Sequence, residues 1–417
     1  MSDYKVGVFH PGTQHSWQTS RALQEADRLA WYKTSIFYLQ DRWPYKGVRY
    51  LPKSARASIE PELMRLYHPA LDPSLIHTAG WESWGMRIFN RLGYPRLGMR
   101  FMRRGDRRFP SSVIKLMDRQ PVQAIWGYNN ASLAAFRAAK KRNIITILDQ
   151  TIGHPEVYNR IMTEVYEKYP EFFISQNFKI NQETIDNLIQ EHALADVILN
   201  GSDFCASTLL QVGANSPSPE KVRVLPYCYD EARFSQSPPH AKVQGRPVNF
   251  LFLGQAGPRK GFHLVLKAFE RIPASAATLT VVGDLHVPKA TFARYADRIT
   301  WKHTVSRSEV PSIMRDADCL LFPSYFEGSA ISILEALACG LPIIQSRNTG
   351  VVVDDAFGLL LKELTEDELY EKMMTVIDNP AILEGWSVEA LARAKNFTFR
   401  NYKQNVLQLV ESLAGTA

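Results

Sequence analysis

The sequence is poor in cysteine, and its four cysteines form no recognisable framework. Cys205, Cys228, Cys319 and Cys339 include no C-x-x-C pair, which is typical of a chain in a reducing compartment. No apolar run approaches the ~18 residues that a helix needs to cross a bilayer. The first residues, MSDYKVGVFHPG, lack the charged and then apolar regions of a signal peptide. We therefore expect a cytoplasmic protein that is soluble or peripheral to a membrane.

Two kinds of binding site are also missing from the sequence. No histidines and cysteines occur at zinc-ligand spacing, and there is no G-x-x-x-x-G-K-[ST] phosphate loop. Asp316 and Asp318 form a D-x-D triplet, which binds metal in other transferases. Here the triplet lies between a predicted helix end and a strand, so we interpret it as capping and surface residues. We predict neither a metal site nor a cofactor.

The positive charge of the chain is concentrated in its first half. The net charge is +7 over 417 residues, and 45% of the residues are hydrophobic, which is ample for two or three domains. Residues 1–230 hold 29 Lys and Arg against 22 Asp and Glu, whereas residues 231–417 hold 20 of each. A basic half favours an anionic partner, which is a phosphate compound, a nucleic acid or an anionic lipid.

Strand and helix patterns alternate along the chain and predict two domains with parallel sheets. A stretch rich in serine and proline, residues 235–247, separates residues 1–232 from residues 247–398. We expect both to be doubly wound α/β domains, with ligands at the carboxyl ends of the strands. The predicted strands lie within 4–11, 34–39, 124–128, 144–148, 193–202, 248–254, 277–283, 316–324 and 341–346, and the predicted helices within 20–32, 130–142 and 261–272.

Two carboxylates stand eight positions apart in the stretch EGSAISILEALACGLP, residues 327–342. We expect a helix from about Ser329 to Cys339, whose N-terminal amides form a phosphate site. An ideal helix would separate Glu327 and Glu335 by ~12 Å and ~80° around its axis. Carboxylates accept hydrogen bonds from sugar and ribose hydroxyls. Together these features favour a nucleotide sugar as the ligand, although a helix cap and a solvated face remain the alternative.

A second loop carries cations that suit a diphosphate. In GQAGPRKG, residues 254–261, Arg259 and Lys260 follow a predicted strand and precede a helix. They are able to neutralise a diphosphate leaving group. The alternative is a polar loop with a solvated basic pair.

These motifs together resemble the retaining GT-B glycosyltransferases, specifically glycosyltransferase family four. The resemblance rests on the E-x7-E stretch and covers nearly the whole chain. The other matching segments are FLGQAGPRKGFHLVLKAF (252–269), VVGD (281–284), DADCLLFPS (316–324) and VRVLPYCYD (222–230). It implies two Rossmann-like domains that face each other across a cleft, with the donor site in the second. It also implies that a C-terminal helix, within residues 399–417, crosses back to the first domain.

The resemblance assigns roles to individual residues of the second domain. Glu335 would bind the ribose hydroxyls, Glu327 the transferred sugar, and the Gly328 and Ser329 amides the sugar and phosphates. Lys260 matches the lysine of the family's loop. Gln255 stands where the family has an arginine, and Arg259 lies beside the lysine instead.

Three candidates follow strands of the first predicted domain. Gly12 would let its loop approach the donor phosphates, although a plain tight turn is equally consistent with the sequence. The family commonly has a histidine after the strand that IITIL, residues 144–148, represents here. Asp149 occupies one of the positions nearest to that of the family's histidine, and His154 comes later in the chain. Both therefore remain candidates.

The resemblance implies a metal-independent retaining glycosyltransferase. It would move a hexose-type sugar from a UDP or GDP donor to an acceptor hydroxyl, on a lipid-linked glycan or a polysaccharide. Two alternatives stay open. One is a nucleotide-sugar epimerase of the same fold. The other is a basic nucleic-acid-binding protein, which leaves the two glutamates unexplained, so we expect no nucleic-acid partner.

Residues 81–110 form a basic stretch with interleaved apolar residues, which is typical of an interfacial helix. We expect this segment to bind an anionic membrane face, where a lipid-linked acceptor lies. The alternative is that its aromatics belong to the core and its arginines to a solvated face or a phosphate cluster. The arginines are Arg87, Arg91, Arg96, Arg100, Arg103, Arg104, Arg107 and Arg108.

Overall fold

The computed structural model describes residues 4–12, 15–43, 45–234, 245–303, 305–350, 353–354 and 356–415. The predicted linker, residues 235–247, therefore lies outside the described residues except for 245–247.

Thirteen strands and fifteen α-helices are formed by the described residues. The strands are β1 (Val6–His10), β2 (Leu29–Thr34), β3 (Ile76–Thr78), β4 (Ala124–Tyr128), β5 (Ile145–Gln150), β6 (Val197–Asn200), β7 (Val222–Val224), β8 (Val248–Leu253), β9 (Ala277–Val282), β10 (Ile299–Lys302), β11 (Cys319–Phe322), β12 (Ile343–Ser346) and β13 (Gly358–Leu361). The helices are α1 (Ser16–Glu25), α2 (Lys53–Met64), α3 (Glu82–Arg91), α4 (Pro95–Arg119), α5 (Leu133–Lys140), α6 (Pro155–Lys168), α7 (Gln182–Leu194), α8 (Asp203–Leu209), α9 (Phe262–Glu270), α10 (Lys289–Ala293), α11 (Val310–Asp316), α12 (Ile331–Ala338), α13 (Glu366–Asp378), α14 (Ile382–Ala394) and α15 (Phe399–Ala414).

The strands form two parallel sheets with the same kind of winding. The first has the order β3-β2-β1-β4-β5-β6-β7 and the second the order β10-β9-β8-β11-β12-β13. In each sheet the strand order reverses once, between β1 and β4 and between β8 and β11. A reversal of this kind opens a crevice at the carboxyl ends of the two central strands, where ligands of doubly wound sheets bind. The predicted fold class, two Rossmann-like domains, is confirmed.

The second sheet is covered on both faces, as the continuous apolar runs of its strands predict. Alternate residues of one strand enter different cores because side chains alternate across a strand. Phe250 and Phe252 belong to one buried cluster, which includes apolar residues of α9 and α13. Leu251, between them, belongs to the other, which includes residues of α12 and α14.

The first sheet is also covered on both faces. On one face, Phe9 of β1 meets Phe136 of α5 with a ring-centroid distance of 6.3 Å. On the other, Thr19 of α1 bonds the Tyr128 hydroxyl of β4 at 2.9 Å. The carboxyl ends of β1 to β5 therefore form an edge that lies between two helical layers.

Two secondary-structure predictions for the segment after β1 are wrong. The predicted helix at 20–32 ends at Glu25, and the strand predicted at 34–39 lies instead at Leu29–Thr34. Asp27 has a left-handed backbone with φ 53°, a conformation that stops a right-handed helix. The following residues, LAWYKT, include the aromatic side chains that favour strands. The short strands β3, β7, β10 and β13 were not predicted.

The chain divides into two compact units. The first contains residues 1–149, 186–199 and 403–417, and the second contains residues 150–185 and 200–402. The C-terminal helix α15 is formed as expected, and its Lys403 pairs with Glu25 of the first unit at 2.8 Å. The domain boundaries derived from the sequence stay a prediction.

Candidate functional site

The two motifs of the second domain lie at the point where the strand order of the second sheet reverses. The loop of residues 254–261 follows β8, and the segment of residues 323–330 follows β11. Because β8 and β11 are paired neighbours in that sheet, both loops leave the same edge side by side. This is the position where a doubly wound sheet binds its ligand.

A close backbone approach holds the two loops together. Gly261 has a left-handed backbone with φ 69°, and a Cβ atom there would lie 2.0 Å from the Pro323 carbonyl oxygen. Only glycine meets both conditions. The Tyr325 backbone N–H donates to the Arg259 carbonyl oxygen at 2.8 Å. The loop that carries the cations is thus fixed against the segment that carries Glu327.

Glu327, Lys260 and Arg259 form one ion-paired cluster. Lys260 Nζ lies 2.7 Å from Glu327 Oε1, and Arg259 Nη1 lies 2.8 Å from the same oxygen. Arg259 Nη1 also donates to the Phe326 carbonyl oxygen at 2.8 Å, and Lys260 Nζ lies 4.5 Å from the centre of the Phe322 ring. The two cations are therefore held in fixed positions around one carboxylate.

The cluster is largely withdrawn from water. Glu327 is buried, and the Lys260 side chain is 13% exposed. Burial lowers the pKa of Lys260, and the adjacent Glu327 carboxylate opposes that shift. Charges in such surroundings act more strongly on a ligand than charges in bulk water. The arrangement is suited to stabilise negative charge that develops on a bound phosphate group.

Gly328 allows another segment of the second unit to reach the site. A Cβ atom at Gly328 would lie 1.8 Å from the Thr151 carbonyl oxygen, so no other residue fits there without a backbone shift. Gly153 meets the Phe326 ring in the same way, at 2.6 Å. His154, which ends this segment, is buried and caps α6, with Nδ1 accepting from the Glu156 backbone N–H at 3.2 Å. Burial lowers its pKa.

The helix that carries Glu335 begins later than we expected. It starts at Ile331 rather than near Ser329, and Ala330 before it has a non-helical backbone with ψ 88°. The separation of ~12 Å and ~80° assumed continuous helix from Glu327, so that expectation is wrong. The end of the helix was predicted more closely, because the backbone of Gly340 is left-handed with φ 67°.

Glu335 is in the second turn of α12 and is partly exposed. Burial raises its pKa to about 7, against the opposing effect of Arg307 and Arg233. Arg233 pairs with Asp230 at 3.6 Å. The sequence interpretation overlooked both arginines, because they lie far from the motif in the chain and share no pattern with it.

Two further site candidates belong to the first unit and follow its central strands. The Gly12 backbone N–H donates to His10 Nδ1 at 3.0 Å, and the Gly12 carbonyl oxygen accepts from Thr34 Oγ1 at 3.2 Å. Asp149 is buried at the end of β5 and accepts from Trp126 Nε1 at 3.2 Å. Gly12 thus lies in an ordered turn, and Asp149 is held by a strand neighbour.

The remaining candidates of the second unit have clear structural settings. Gln255 is exposed in the loop after β8. Asp318 is not a surface residue as expected, because it is 2% exposed and receives two hydrogen bonds from Arg246, at 2.7 and 2.8 Å. Its buried charge is balanced by this arginine, which explains why a polar triplet lies beside a strand. Among the described residues no group of histidine, cysteine, aspartate or glutamate is arranged to hold a metal ion.

Several polar residues that support the site were not predicted. Ser202 Oγ donates to the Gly328 carbonyl oxygen, and Asn348 Nδ2 donates to the Tyr325 carbonyl oxygen at 2.9 Å. Both fix the backbone around Glu327. Single serine or asparagine residues in loops carry no sequence signal that would distinguish such roles.

Much of the second half of the chain matches a known family model. Residues 235–394 match the family model described as "Glycosyl transferases group 1". This part of the chain is of the group 1 glycosyltransferase type. This confirms the resemblance to glycosyltransferase family four.

Individual relatives have low sequence identity. The chain is 25% identical over 210 residues to D-inositol 3-phosphate glycosyltransferase of Rhodococcus opacus. The aligned region covers 46% of each protein. It is 26% identical over 191 residues to lipopolysaccharide glucosyltransferase WaaG of Escherichia coli, which covers 41% of this chain and 51% of that one. The chain thus spans about half the length of the curated relatives it matches.

The fold likeness extends further than the sequence likeness. The crystal structure of Anabaena HepE in complex with UDP has a TM-score of 0.63 and 14% identity, and it covers 98% of this chain and 100% of that chain. At this identity the likeness establishes the GT-B fold.

Proposed function

We propose that the protein is a retaining glycosyltransferase that moves a hexose-type sugar from a nucleotide diphosphate donor to an acceptor hydroxyl. The observation that carries this proposal is the cluster of Glu327, Lys260 and Arg259 at the reversal point of the second sheet. Two fixed cations and one carboxylate there match what a sugar diphosphate requires, which is charge neutralisation for the phosphates and a hydrogen-bond acceptor for the sugar.

Glu335 supplies the proposed nucleotide end of the donor site. Its carboxylate accepts hydrogen bonds from the two ribose hydroxyls, and the nearby Arg307 and Arg233 keep part of its population ionised. The start of α12 faces the phosphates with the positive end of the helix dipole. The donor is a UDP-sugar or a GDP-sugar, and the UDP complex of the similarly folded HepE supports the choice of a nucleotide diphosphate.

The proposed reaction is a displacement on one face of the sugar. The bond between the anomeric carbon and the diphosphate oxygen breaks, and its electron pair leaves with the diphosphate. The acceptor oxygen bonds the same carbon from the same face, and its proton passes to the departing phosphate oxygen. Lys260 and Arg259 stabilise the charge that develops on the diphosphate, so we propose that no divalent metal is needed.

Glu327 has two tasks in this proposal. It accepts a hydrogen bond from a hydroxyl of the transferred sugar, and it holds both cations at distances of 2.7 and 2.8 Å. Gly328 and Ser329 contribute backbone amides beside it, and Gln255 lies on the same loop as the cations. His154 is in the segment that touches Gly328 and Phe326, so we keep it as a catalytic candidate.

Gly12 and Asp149 are the proposed contributions of the first unit. Gly12 lies in a partly exposed turn after β1, and Asp149 lies near the end of β5 with a buried carboxylate. Both belong to the carboxyl edge of the first sheet, which is the edge where a doubly wound sheet binds ligands.

We propose that the helices α3 and α4 dock the enzyme on an anionic membrane face. Gly85 lies against the Phe101 ring and Gly98 against Asn90, so the two helices are in close contact. Phe89 and Phe101 stack on each other at 5.2 Å within this pair. These aromatic rings are therefore partly buried within the hairpin that α3 and α4 form. The alternative interpretation of the sequence expected this for part of the segment.

Other apolar residues of the same hairpin face outward. They lie along both helices and the turn between them, and all eight arginines of the segment are also exposed. Exposed apolar side chains among arginines are typical of a surface that lies in the headgroup region. The exposed apolar residues are Trp81, Ile88, Leu92, Tyr94, Leu97, Met99 and Met102.

This docking favours an acceptor that is part of a lipid-linked glycan or a polysaccharide, reached from the cytoplasmic face. The lipopolysaccharide named for WaaG is an acceptor of that kind. Among the described residues, none of the helices is long and apolar enough to cross a bilayer.

The proposal is tested by incubating the full chain with UDP-sugars and GDP-sugars and a membrane extract as the source of acceptor. We expect one donor to yield a glycosylated product, with the anomeric configuration of the donor retained in its NMR spectrum. Inversion would contradict the mechanism. Donor incubated alone identifies an epimerase if the sugar changes its configuration without transfer.

The nucleic-acid alternative is tested separately. Filter binding with single-stranded and double-stranded DNA in a salt series should give only weak binding that disappears at high salt. Tight binding that resists salt would favour the alternative.

A further inference from the structure

Phe326, which directly precedes Glu327 in the chain, has its ring in an aromatic pocket of the second unit. The residue is 1% exposed. The Tyr158 ring of α6 meets it edge to face, with a centroid distance of 5.4 Å and an interplanar angle of 73°. The Phe204 ring of α8 meets it at 5.8 Å and 82°. Edge-to-face contact is a preferred arrangement of aromatic pairs, so the two partners define the orientation of the Phe326 ring.

Gly153 completes the aromatic pocket. A Cβ atom there would lie 2.6 Å from the Phe326 ring and 2.8 Å from Thr208 Oγ1. The pocket therefore admits the ring only because residue 153 has no side chain. Thr208 Oγ1 also accepts from the His154 backbone N–H at 2.9 Å, which ties the segment before α6 to α8. The ring is thus in contact with α6, with α8 and with the residues that lead into α6.

The backbone of Phe326 is joined to the charged cluster of the candidate site. Arg259 Nη1 donates to the Phe326 carbonyl oxygen at 2.8 Å and lies 2.8 Å from Glu327 Oε1. One nitrogen thus bridges a backbone carbonyl and the side chain of the next residue. Both contacts depend on the orientation of the peptide unit between residues 326 and 327. The Arg259 charge also opposes the rise in the pKa of Tyr158 that burial causes.

The other carbonyl oxygens around Phe326 are bonded by side chains from outside the cluster. The donors are Ser346 Oγ to Ser324 at 2.6 Å, Asn348 Nδ2 to Tyr325 at 2.9 Å and Ser202 Oγ to Gly328. Among these four carbonyls, only that of Phe326 accepts from a charged residue of the site. A change in its orientation therefore reaches Arg259, whereas the rest of the segment has other supports.

We propose that Phe326 is a positioning residue for the ion pair of Arg259 and Glu327. The aromatic pocket fixes its ring, and the ring fixes the carbonyl that holds the Arg259 guanidinium. A cation that is already in position stabilises developing negative charge without having to reorient during the reaction. The inference rests on the proposed transfer reaction, because it assigns the aromatic pocket a role in preparing that site.

The positioning is tested first without any transfer reaction. The full chain is labelled with ¹⁵N arginine, and Arg259→Lys identifies the Arg259 signals in the NMR spectrum. A guanidinium that donates to two fixed acceptors rotates slowly, so we expect separate Nη signals for Arg259 at low temperature. In Phe326→Leu these signals should merge. Averaged signals in the wild type, or separate signals that persist in Phe326→Leu, would overturn the proposal.

Two variants distinguish positioning from a general loss of core packing. Gly153→Ala keeps Phe326 and displaces its ring, so it should also merge the Arg259 signals. Phe269→Leu is the matched control, because Phe269 is equally buried and its carbonyl oxygen also accepts from an arginine, Arg298 Nη1 at 3.4 Å. It should lower the melting temperature and leave the Arg259 signals separate. Merged signals in Phe269→Leu, or separate signals in Gly153→Ala, would contradict the positioning.

A double-mutant cycle measures the consequence for transfer. Phe326→Leu should lower kcat about tenfold, because small displacements of catalytic groups have effects of this order or larger. In an Arg259→Met background the same change should lower kcat by less than about twofold, because both residues act through one hydrogen bond. Equal losses in the two backgrounds would contradict the assignment.

Titrations with UDP and GDP separate this inference from the proposed function. A wild type that transfers no sugar and binds neither nucleotide would refute the proposed function, and the Arg259 signals would still decide whether Phe326 positions the ion pair. Transfer by the wild type together with Arg259 signals that do not respond to Phe326→Leu would refute the positioning alone.

Discussion

The protein has two clusters of basic side chains that differ in how their charge is balanced. In the second unit, Lys260 and Arg259 share one carboxylate oxygen of Glu327 at 2.7 and 2.8 Å. In the first unit, Arg100, Arg103 and Arg107 of α4 are exposed, and none of them pairs with a carboxylate among the described residues.

The difference follows the charge of the chain as a whole. Residues 1–149 hold 24 Lys and Arg against 11 Asp and Glu, whereas residues 150–417 hold 25 against 31. A shared carboxylate holds the cations in position and offsets part of their charge, so their attraction for other anions is weaker. Cations without such a partner attract groups that carry a permanent negative charge. We therefore propose that the second cluster stabilises negative charge that develops during the reaction. The basic side chains of the first unit would bind groups that are permanently negative.

The largest effect should come from the exposed arginines of the first unit. Replacing Arg100, Arg103 and Arg107 with Glu leaves Arg104 and Arg108, which pair with Glu82, in place. Each basic side chain near an anionic surface contributes ~1 kcal/mol, so binding to anionic vesicles should weaken by a hundredfold or more, by this order-of-magnitude measure.

Vesicle co-sedimentation at low and high salt measures this change. The matched control reverses three exposed cations of the second unit, Lys362, Lys395 and Arg400, and should bind like the wild type. Membrane binding that is indifferent to the arginine changes would remove the docking surface.

The next effect should come from the shared carboxylate of the second cluster. In Glu327→Ala, Lys260 and Arg259 lose their common partner and the sugar loses a hydrogen-bond acceptor. We expect kcat to fall about a hundredfold, as for other fixed polar groups of active sites. Steady-state kinetics with a donor series measures this change.

Asp318→Asn is a control for general disruption of the second unit. It alters a buried ion pair with Arg246 away from the proposed chemistry. Thermal unfolding should report its effect, while kcat of the folded fraction should stay near the wild-type value. Wild-type kinetics in Glu327→Ala would refute the donor-site assignment.

A smaller effect is expected at Glu335. Glu335→Ala leaves the ribose hydroxyls without an acceptor, which weakens nucleotide binding by about 2 kcal/mol, or roughly thirtyfold. Because burial raises the pKa of Glu335 to about 7, the carboxylate is ionised mainly above that pH. Wild-type affinity should therefore fall as the pH decreases from 8 to 6.

Glu335→Gln separates this titration from other ionising groups. The variant should bind nucleotide with little dependence on pH between 6 and 8, since it has no proton to lose there. Isothermal calorimetry at several pH values gives both results. An unchanged pH dependence in Glu335→Gln would place the titrating group elsewhere.

The smallest effect should follow removal of divalent metal. Lys260 and Arg259 are positioned to meet the charge of the leaving diphosphate, so exhaustive chelation should leave the transfer rate within about a factor of two. Rates before and after chelation measure it, with magnesium and manganese added back. Complete loss that either metal restores would contradict metal-independent transfer.

Sequence patterns were sufficient for most of the fold because the central strands are buried runs. Strands such as AIWGY and VNFLFL are apolar enough to be recognised without their neighbours. The segment between residues 20 and 39 was misplaced because the change from helix to strand depends on one left-handed residue, Asp27. The edge strands β3, β7, β10 and β13 are short and partly exposed, so they lack a buried run.

The sequence suggested residues for a candidate site, whereas it did not predict the contacts among them. Glu327 and Lys260 were expected to act on different parts of the donor, and their ion pair depends on how two loops meet at Gly261. The start of α12 was misplaced because Ala330 is a good helix former whose backbone is held out of the helix here. The arginines beside Glu335 could not be predicted, since they are distant in sequence.

The donor site is tested most directly by calorimetric titration of UDP and GDP into the full chain and into Glu335→Ala and Lys260→Met. We predict that one of the two nucleotides binds the wild type, that Glu335→Ala weakens its binding roughly thirtyfold, and that Lys260→Met weakens the diphosphate more than the corresponding nucleoside. Binding of neither nucleotide, or equal affinities in all three proteins, would contradict the assignment of Glu335 and the Glu327 cluster as the donor site.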